Sequence, residues 1–168
     1  MAGSPTDVAR HSSSKAKFAA YREGRVSPEL RTTVMMVLVA RRWRALLDEH
    51  LRPIDQSTAR MEAMAAIYAS PPLSPQIEIA KRLRIEGPTL TRMLDGLEKD
   101  ELVERLPDPR DRRTKLLRLT DKGEQVLEEI FAIADGLRMK LVDGYSATQI
   151  DELNAVLADL MGRLDTGL

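Results

Sequence analysis

The chain contains no cysteine, which excludes disulfides, thiolate metal sites and cysteine-based redox switching. Aromatic residues are scarce, at 4% of 168 residues, so leucine, isoleucine, valine, methionine and alanine must build the core. Long hydrophobic runs are missing too. The longest, Val34 to Ala40, is far too short to cross a bilayer and is followed at once by Arg41 and Arg42. No apolar signal segment opens the sequence, so a cytoplasmic protein is expected. Histidine occurs only as His11 and His50, each isolated from any spaced carboxylate or nucleophile, and solvated side chains are the better reading of both. There is no glycine-rich phosphate loop and no set of residues at metal-ligand spacing. No enzyme, cofactor or metal is therefore expected.

What the sequence does have is ordinary for a helix-rich globular protein: 43% apolar and 31% charged residues, enough for a single domain with a real core. The formal net charge is zero, which at first argues against a polyanionic partner. Its distribution argues differently. Met1 to Ala80 and Lys81 to Arg118 each carry 11 basic and 8 acidic residues, whereas Leu119 to the end carries 4 and 10. A chain so arranged can turn a basic side to an anion and keep its acidic end away from it. Acidic helices that are merely soluble would leave the same charge pattern.

Residues 1–26 are polar, include Ser12, Ser13 and Ser14, and read as a flexible arm with a short helical piece at Lys15 to Tyr21. Residues 27–168 read as one domain. Ser27-Pro28 starts a helix that runs to about Leu51, where Pro53 stops it. Its apolar positions Val34, Leu38, Trp43, Leu46 and Leu47 nearly surround the middle of the helix, a pattern of packing on two sides. A second helix, Ser57 to Ala69, should turn Met61, Met64, Ala65 and Tyr68 inward before Pro71-Pro72 breaks it. Ser74-Pro75 and Gly87-Pro88 repeat the same cap-then-proline start for two further helices. Thr120 caps a long helix to about Val142, with Val126, Leu127, Ile130, Phe131, Ala134, Leu137 and Leu141 on one face and Gly144 closing it. Ser146 and Gln149 form a capping box for the last helix. There Ile150, Leu153, Leu157, Leu160 and Leu164 recur at the alternating spacing of a coiled-coil seam. The seam either packs on the chain's own long helix or forms part of a dimer interface.

The most specific stretch is Gly87 to Leu119. An amphipathic helix leads into two short alternating strands, joined by a tip crowded with proline, aspartate and arginine. Just before it, the short helix Pro75 to Leu83 is separated by only Arg84, Ile85 and Glu86. Two helices across a tight turn followed by a basic hairpin is the plan of a winged helix-turn-helix. The expected fold is therefore mainly α with a small β-hairpin wing. A recognition helix needs short polar residues and an arginine at its N-terminal end, which enters the major groove. Thr89, Thr91 and Arg92 stand there, suited to phosphate oxygens or base edges. In the hairpin, Arg110, Arg112, Arg113 and Lys115 surround Asp111, and an arginine at such a tip can enter the narrow, electronegative minor groove. The bland alternative is a solvated ion-pair cluster of Asp108, Asp111 and the arginines.

Residues 106–115 (LPDPRDRRTK) followed by residues 119–123 (LTDKG) closely resemble the wing signature of the MarR family of bacterial transcription regulators. Residues 41–48 (RRWRALLD), 76–81 (QIEIAK) and 85–92 (IEGPTLTR) resemble its SlyA branch. The resemblance covers roughly Leu30 to Leu164. It implies a homodimer shaped like a triangle, with residues 27–53 and 120–165 as the α-helical dimerisation base and residues 57–119 as the winged module. It further implies docking on a pseudo-palindromic operator, with Arg113 in the minor groove, Asp111 orienting it and Arg112 near the backbone. The set expected to contact DNA is Ser74, Gln76, Pro88, Thr89, Thr91, Arg92, Arg110, Asp111, Arg112, Arg113 and Lys115. Two positions depart from the family. Arg84 fills a turn position often held by glycine, where a left-handed backbone costs roughly 1–2 kcal/mol. Asp100-Glu101 stands where Lys-Gly is usual.

Arg41 and Arg44 lie three apart and so share a helix face beside Trp43. Their counterparts in the SlyA branch face a crevice where small aromatic carboxylates bind, and guanidinium suits both the carboxylate and the ring. Opposite them the branch carries Trp and His where this chain has Met61 and Ala65, which implies a roomier, more apolar pocket suited to a bulkier phenolic ligand. Alternatively, both arginines are surface or dimer-contact residues. The functional expectation is a homodimeric DNA-binding regulator, acting as a repressor released by an aromatic or phenolic carboxylate. A winged-helix protein–protein adaptor and a ligand-independent anti-silencing activator are the alternatives.

Overall fold

The computed structural model describes Gly24 and residues 26–167. The helical piece expected at Lys15 to Tyr21, and His11, lie outside the described residues. The chain divides into two units between Leu46 and Leu47.

In the first unit, helix α1 (Pro28–Leu51) starts where the serine–proline pair places it. Ser27 Oγ accepts the Leu30 amide at 3.3 Å, satisfying one of the donors a helix start leaves open. Val34, Met35, Val37, Leu38 and Val39 are exposed. Trp43 and Leu46 are half-buried.

The second unit begins with the last turn of α1, where Leu47 and Leu51 are fully buried. A 3₁₀ turn (Arg52–Ile54) carries Pro53, and Asp55 adopts φ 55° to redirect the chain. Helix α2 (Thr58–Tyr68) is capped by Ser57, and the Thr58 amide also donates to Asp48 Oδ1 at 2.7 Å. Met61, Ala63, Met64, Ala66 and Ile67 are buried on it, and it packs against the helices Gln76–Leu83, Gly87–Lys99 and Asp121–Leu141 and the strand Lys115–Leu119 as the pivot of the unit. Tyr68, expected inward, is exposed. It lies at the last turn, beyond the elements that cover Met64.

Two short helices follow, α3 (Gln76–Leu83) and α4 (Gly87–Lys99). The start of α3 differs from the expected serine cap. Ser74–Pro75 forms a strand, β1, and Ser74 Oγ donates to the Pro71 carbonyl at 2.8 Å. A residue before proline is pushed to extended backbone, and here that extension pairs with the hairpin. The hairpin strands are β2 (Val103–Pro107) and β3 (Lys115–Leu119). They are antiparallel with Val103 opposite Leu119 and Pro107 opposite Lys115. β1 joins the other edge of β3 through Ser74 opposite Leu117, giving a three-stranded sheet in the order β1-β3-β2. The fold is thus mainly helical with a small antiparallel wing, as winged helix-turn-helix patterning requires.

Helix α5 (Asp121–Leu141) is capped by Thr120 and buries Gly123, Leu127, Ile130 and Ala134. Burial fades after Ala134, and Leu141, expected on the packed face, is exposed. Gly144 takes φ 85° and turns the chain into α6 (Ala147–Asp165), whose Ser146–Gln149 capping box is complete on both sides. The α6 seam is not covered by the chain's own long helix: Leu153, Leu157 and Leu164 are 53%, 41% and 58% exposed.

Candidate nucleic-acid interface

The hydrophobic periodicity of α4 sets which side of it faces outward. Leu90, Leu94 and Leu97 are fully buried, a spacing that draws one stripe into the core. That stripe leaves Pro88, Thr89 and Arg92 exposed at the N-terminal end, with Thr91 half-buried beside them. Pro88 sits in the first turn, where its missing N–H is no loss. The two helices are bolted together at this end. Gln76 Nε2 donates to Thr91 Oγ1 at 2.9 Å, and the Thr91 hydroxyl donates to the Gly87 carbonyl at 3.0 Å. Gln76 and Thr91 therefore act first on each other.

The turn between α3 and α4 is left-handed at Arg84, with φ 54° and ψ 41°. The family-divergent position after α4 behaves likewise, Glu101 taking φ 60°. Both are conformations glycine adopts freely and other residues resist. Neighbouring bonds hold Glu101 in place. The Thr120 hydroxyl donates to its carbonyl at 2.6 Å, and Lys122 Nζ donates to the Asp100 carbonyl at 2.9 Å. Gly123 must then pass very close, since a β-carbon there would lie 2.0 Å from the Leu102 carbonyl oxygen. The LTDKG run is thus the clasp that closes the hairpin base onto the end of α4.

At the wing tip the two aspartates shape backbone. Asp108 Oδ1 accepts the Arg110 amide at 2.8 Å. Asp111 Oδ1 accepts the Arg113 amide at 3.0 Å and Oδ2 the Thr114 hydroxyl at 3.2 Å. These Asx turns fold the loop. Asp111 orients Arg113 through its amide, not through its guanidinium. Among the described residues, Arg92, Arg110, Arg112, Arg113 and Lys115 form no ion pair, and all five are exposed. A solvated ion-pair cluster at the tip is therefore not what forms.

Wing and helices enclose one concave surface of about 670 Å³, to which Gln76, Thr91, Arg113 and Lys115 all contribute. The wing is braced against α4 by Arg105, whose guanidinium meets Asp95 at 2.7 Å and also pairs with Glu98. The hydrogen bond from Arg105 holds the Glu98 carboxyl below its ordinary range, and the same bond to Glu98 raises Arg105. Neither this brace nor β1 was legible in the sequence. The signal for the brace is the Asp95–Glu98 spacing, which puts both carboxylates on one helix face.

The remaining expected residues lie elsewhere. Ser74 is only 9% exposed and its hydroxyl bonds to Pro71, so it is turned away from any surface contact. Arg41 and Arg44 are exposed on α1 in the first unit; in the second, Met61 is buried and Ala65 half-buried on α2. The described residues hold no group of histidine, cysteine, aspartate or glutamate side chains able to bind a metal. No described helix is long and apolar enough to cross a membrane.

A family model described as MarR family matches residues 57–115, the span from the cap of α2 to the first residue of β3. Among solved structures, the transcriptional regulator PA3341 is 32% identical over 80% of this chain and 98% of its own, with a TM-score of 0.72. A cysteine-to-serine mutant of MarR from E. coli, complexed with operator DNA, is 28% identical over 78% of this chain and 94% of its own, with a TM-score of 0.72. The transcriptional repressor CouR, bound to a 23-mer DNA duplex, is 27% identical over 76% of this chain and 89% of its own, with a TM-score of 0.70.

Proposed function

The chain belongs to the MarR family of DNA-binding transcription regulators, and from that premise we propose that it is a repressor that seats a homodimer on a pseudo-palindromic operator. The observation that carries the DNA contact is the concave surface joining Gln76 and Thr91 to Arg113 and Lys115, where Arg113 and Lys115 are exposed and, among the described residues, form no ion pair. In this reading the N-terminal end of α4 enters the major groove with Pro88, Thr89, Thr91 and Arg92. The positive end of the helix dipole there favours phosphate. Arg113 enters the minor groove, while Arg110, Arg112 and Lys115 meet the backbone and Asp111 holds the tip in shape. Ser74 is left out of this set.

The homodimer is supported by the apolar residues the single chain leaves exposed, Val34 and Leu38 on α1 and Leu153, Leu157 and Leu164 on α6. Two modules held by such a base would read half-sites about one helical turn apart. Repression then follows from occupancy, as a dimer on a promoter obstructs polymerase. CouR, a repressor bound to a DNA duplex, supports that sign.

We further place the chain nearest the SlyA branch, on residues 41–48, 76–81 and 85–92, and propose that an aromatic or phenolic carboxylate releases it from DNA. Arg41 and Arg44 would pair with the carboxylate. DNA release by aromatic acids should vanish in the Arg41→Ala plus Arg44→Ala variant; unchanged release there moves the effector elsewhere. The DNA contact is tested by retention of mixed genomic fragments across a salt series. The parent should show strong, salt-sensitive retention, and Arg113→Ala should lose much of it. Equal binding by that variant at every salt concentration would show the wing assignment to be wrong.

A further inference from the structure

Arg84 is placed where a side chain is least welcome. Its left-handed backbone, φ 54°, suits glycine, and strain of this kind persists where the surroundings or the function require the residue. Its guanidinium forks onto one carboxylate, Nη1 to Asp165 Oδ1 at 2.7 Å and Nη2 to Asp165 Oδ2 at 2.8 Å. Nη1 also points at Met161 Sδ, 3.3 Å away. Asp165 is itself ill placed, as the last residue of α6, where the helix dipole disfavours negative charge. Each residue breaks a local rule, and each finds its compensation in the other. Local violations of this kind mark functional positions.

Arg84 also lines the concave surface to which Gln76, Thr91, Arg113 and Lys115 contribute. The charge held by Asp165 is therefore carried at the edge of the surface assigned to DNA. Both side chains of the pair remain about half exposed, at 59% and 48%, so the bridge is of the weak, readily exchanged kind. A phosphate offers the same planar fork a comparable bidentate partner.

We propose that Arg84 is a further phosphate-binding residue of this surface, and that Asp165 at the end of α6 holds it back until DNA displaces the carboxylate. The proposal rests on the DNA-binding reading above. Bound DNA would then exchange one ion pair for another, and α6 would lose its tie to the turn between α3 and α4. Asp165 is thus a competitor for the guanidinium rather than a partner of DNA.

The experiment uses the full chain and a labelled fragment recovered from the native genome by the parent protein, with affinity measured over a salt series. Four proteins are compared: parent, Arg84→Gly, Asp165→Asn and the double variant. Glycine keeps the left-handed turn while removing the guanidinium, and Arg84→Asn, also tolerant of that backbone, is the second choice should the first not fold. The salt slope should fall in Arg84→Gly by about 0.9 for each protomer engaged, the value for one phosphate contact. Asp165→Asn should bind about 2- to 5-fold more tightly, the scale of an exposed ion pair, and that gain should be absent from the double variant. A parental slope in Arg84→Gly would overturn the phosphate assignment. A gain from Asp165→Asn that survives in the double variant would overturn the competition, since it would then reflect only the loss of a negative charge near DNA. A parent that retains no DNA at any salt concentration removes the underlying reading and this inference together, an outcome distinct from both.

Discussion

Single residues in this chain are most informative where they sit against their own preferences. Gly123 is the clearest case, because its hydrogen stands where a β-carbon would press to 2.0 Å from the Leu102 carbonyl. Gly123→Ala must displace backbone, and a loss of about 1–3 kcal/mol is expected from overpacking. Urea unfolding measures it; an unmoved midpoint would mean the clasp is loose. Glu101 errs the other way, with a left-handed backbone at φ 60° and only a long 3.5 Å ion pair to Lys122. Glu101→Gly should stabilise by up to about 1 kcal/mol, the relief of strain being partly offset by unfolded-state entropy. A lower melting temperature would contradict this. Set against the winged helix-turn-helix and family pattern, Arg84 and the Asp100–Glu101 pair already stood out as departures, because each stands where glycine's conformational freedom is usual. The role of Asp111 was only half legible. Its proximity to Arg113 follows from the sequence, but whether a carboxylate takes the guanidinium or the amide depends on how the loop folds.

Between elements, charge helps hold the wing to α4. Glu98 has its carboxyl lowered by the Arg105 hydrogen bond, so its contribution to stability is present above the ordinary carboxylate range. That contribution is lost as pH falls through the lowered folded value. Arg105 is raised and stays charged throughout. The stability difference between the parent and Arg105→Met should therefore be largest near neutrality and shrink on acidification below about pH 4, the region of an unfolded glutamate. Thermal melts at several pH values measure it, and a difference independent of pH would assign the loss to packing alone. The starts of α1, α2 and α5, the capping box and the hairpin were legible because each rests on local chemistry: a serine or threonine cap, a proline in the first turn of α1, alternation around a polar tip. Strand β1 was not. Its Ser74–Pro75 pair is extended for a local reason, but it becomes a strand only because β3 has a free edge beside it. Tyr68 and Leu141 were assigned to packed faces by periodicity, which states the face of a helix and not how far along it the core extends.

At the scale of the molecule, a reading module alone cannot fix the distance between two half-sites. The proposed base supplies that distance, and its apolar residues are the ones the single chain leaves uncovered. Leu153→Asp together with Leu157→Asp should convert a dimer to a folded monomer, seen by light scattering coupled to size exclusion, and weaken DNA retention because two linked modules outperform one. A clean monomer of the parent at micromolar concentration would remove the operator-symmetry argument. The central claim, that α4 and the wing read DNA as a symmetric pair, is tested most directly by footprinting the parent and Arg113→Ala on a fragment selected from the native genome. The account predicts two protected major-groove patches about one helical turn apart, flanked by minor-groove protection that disappears in Arg113→Ala. A single protected patch, or flanking protection unchanged in the variant, would contradict it.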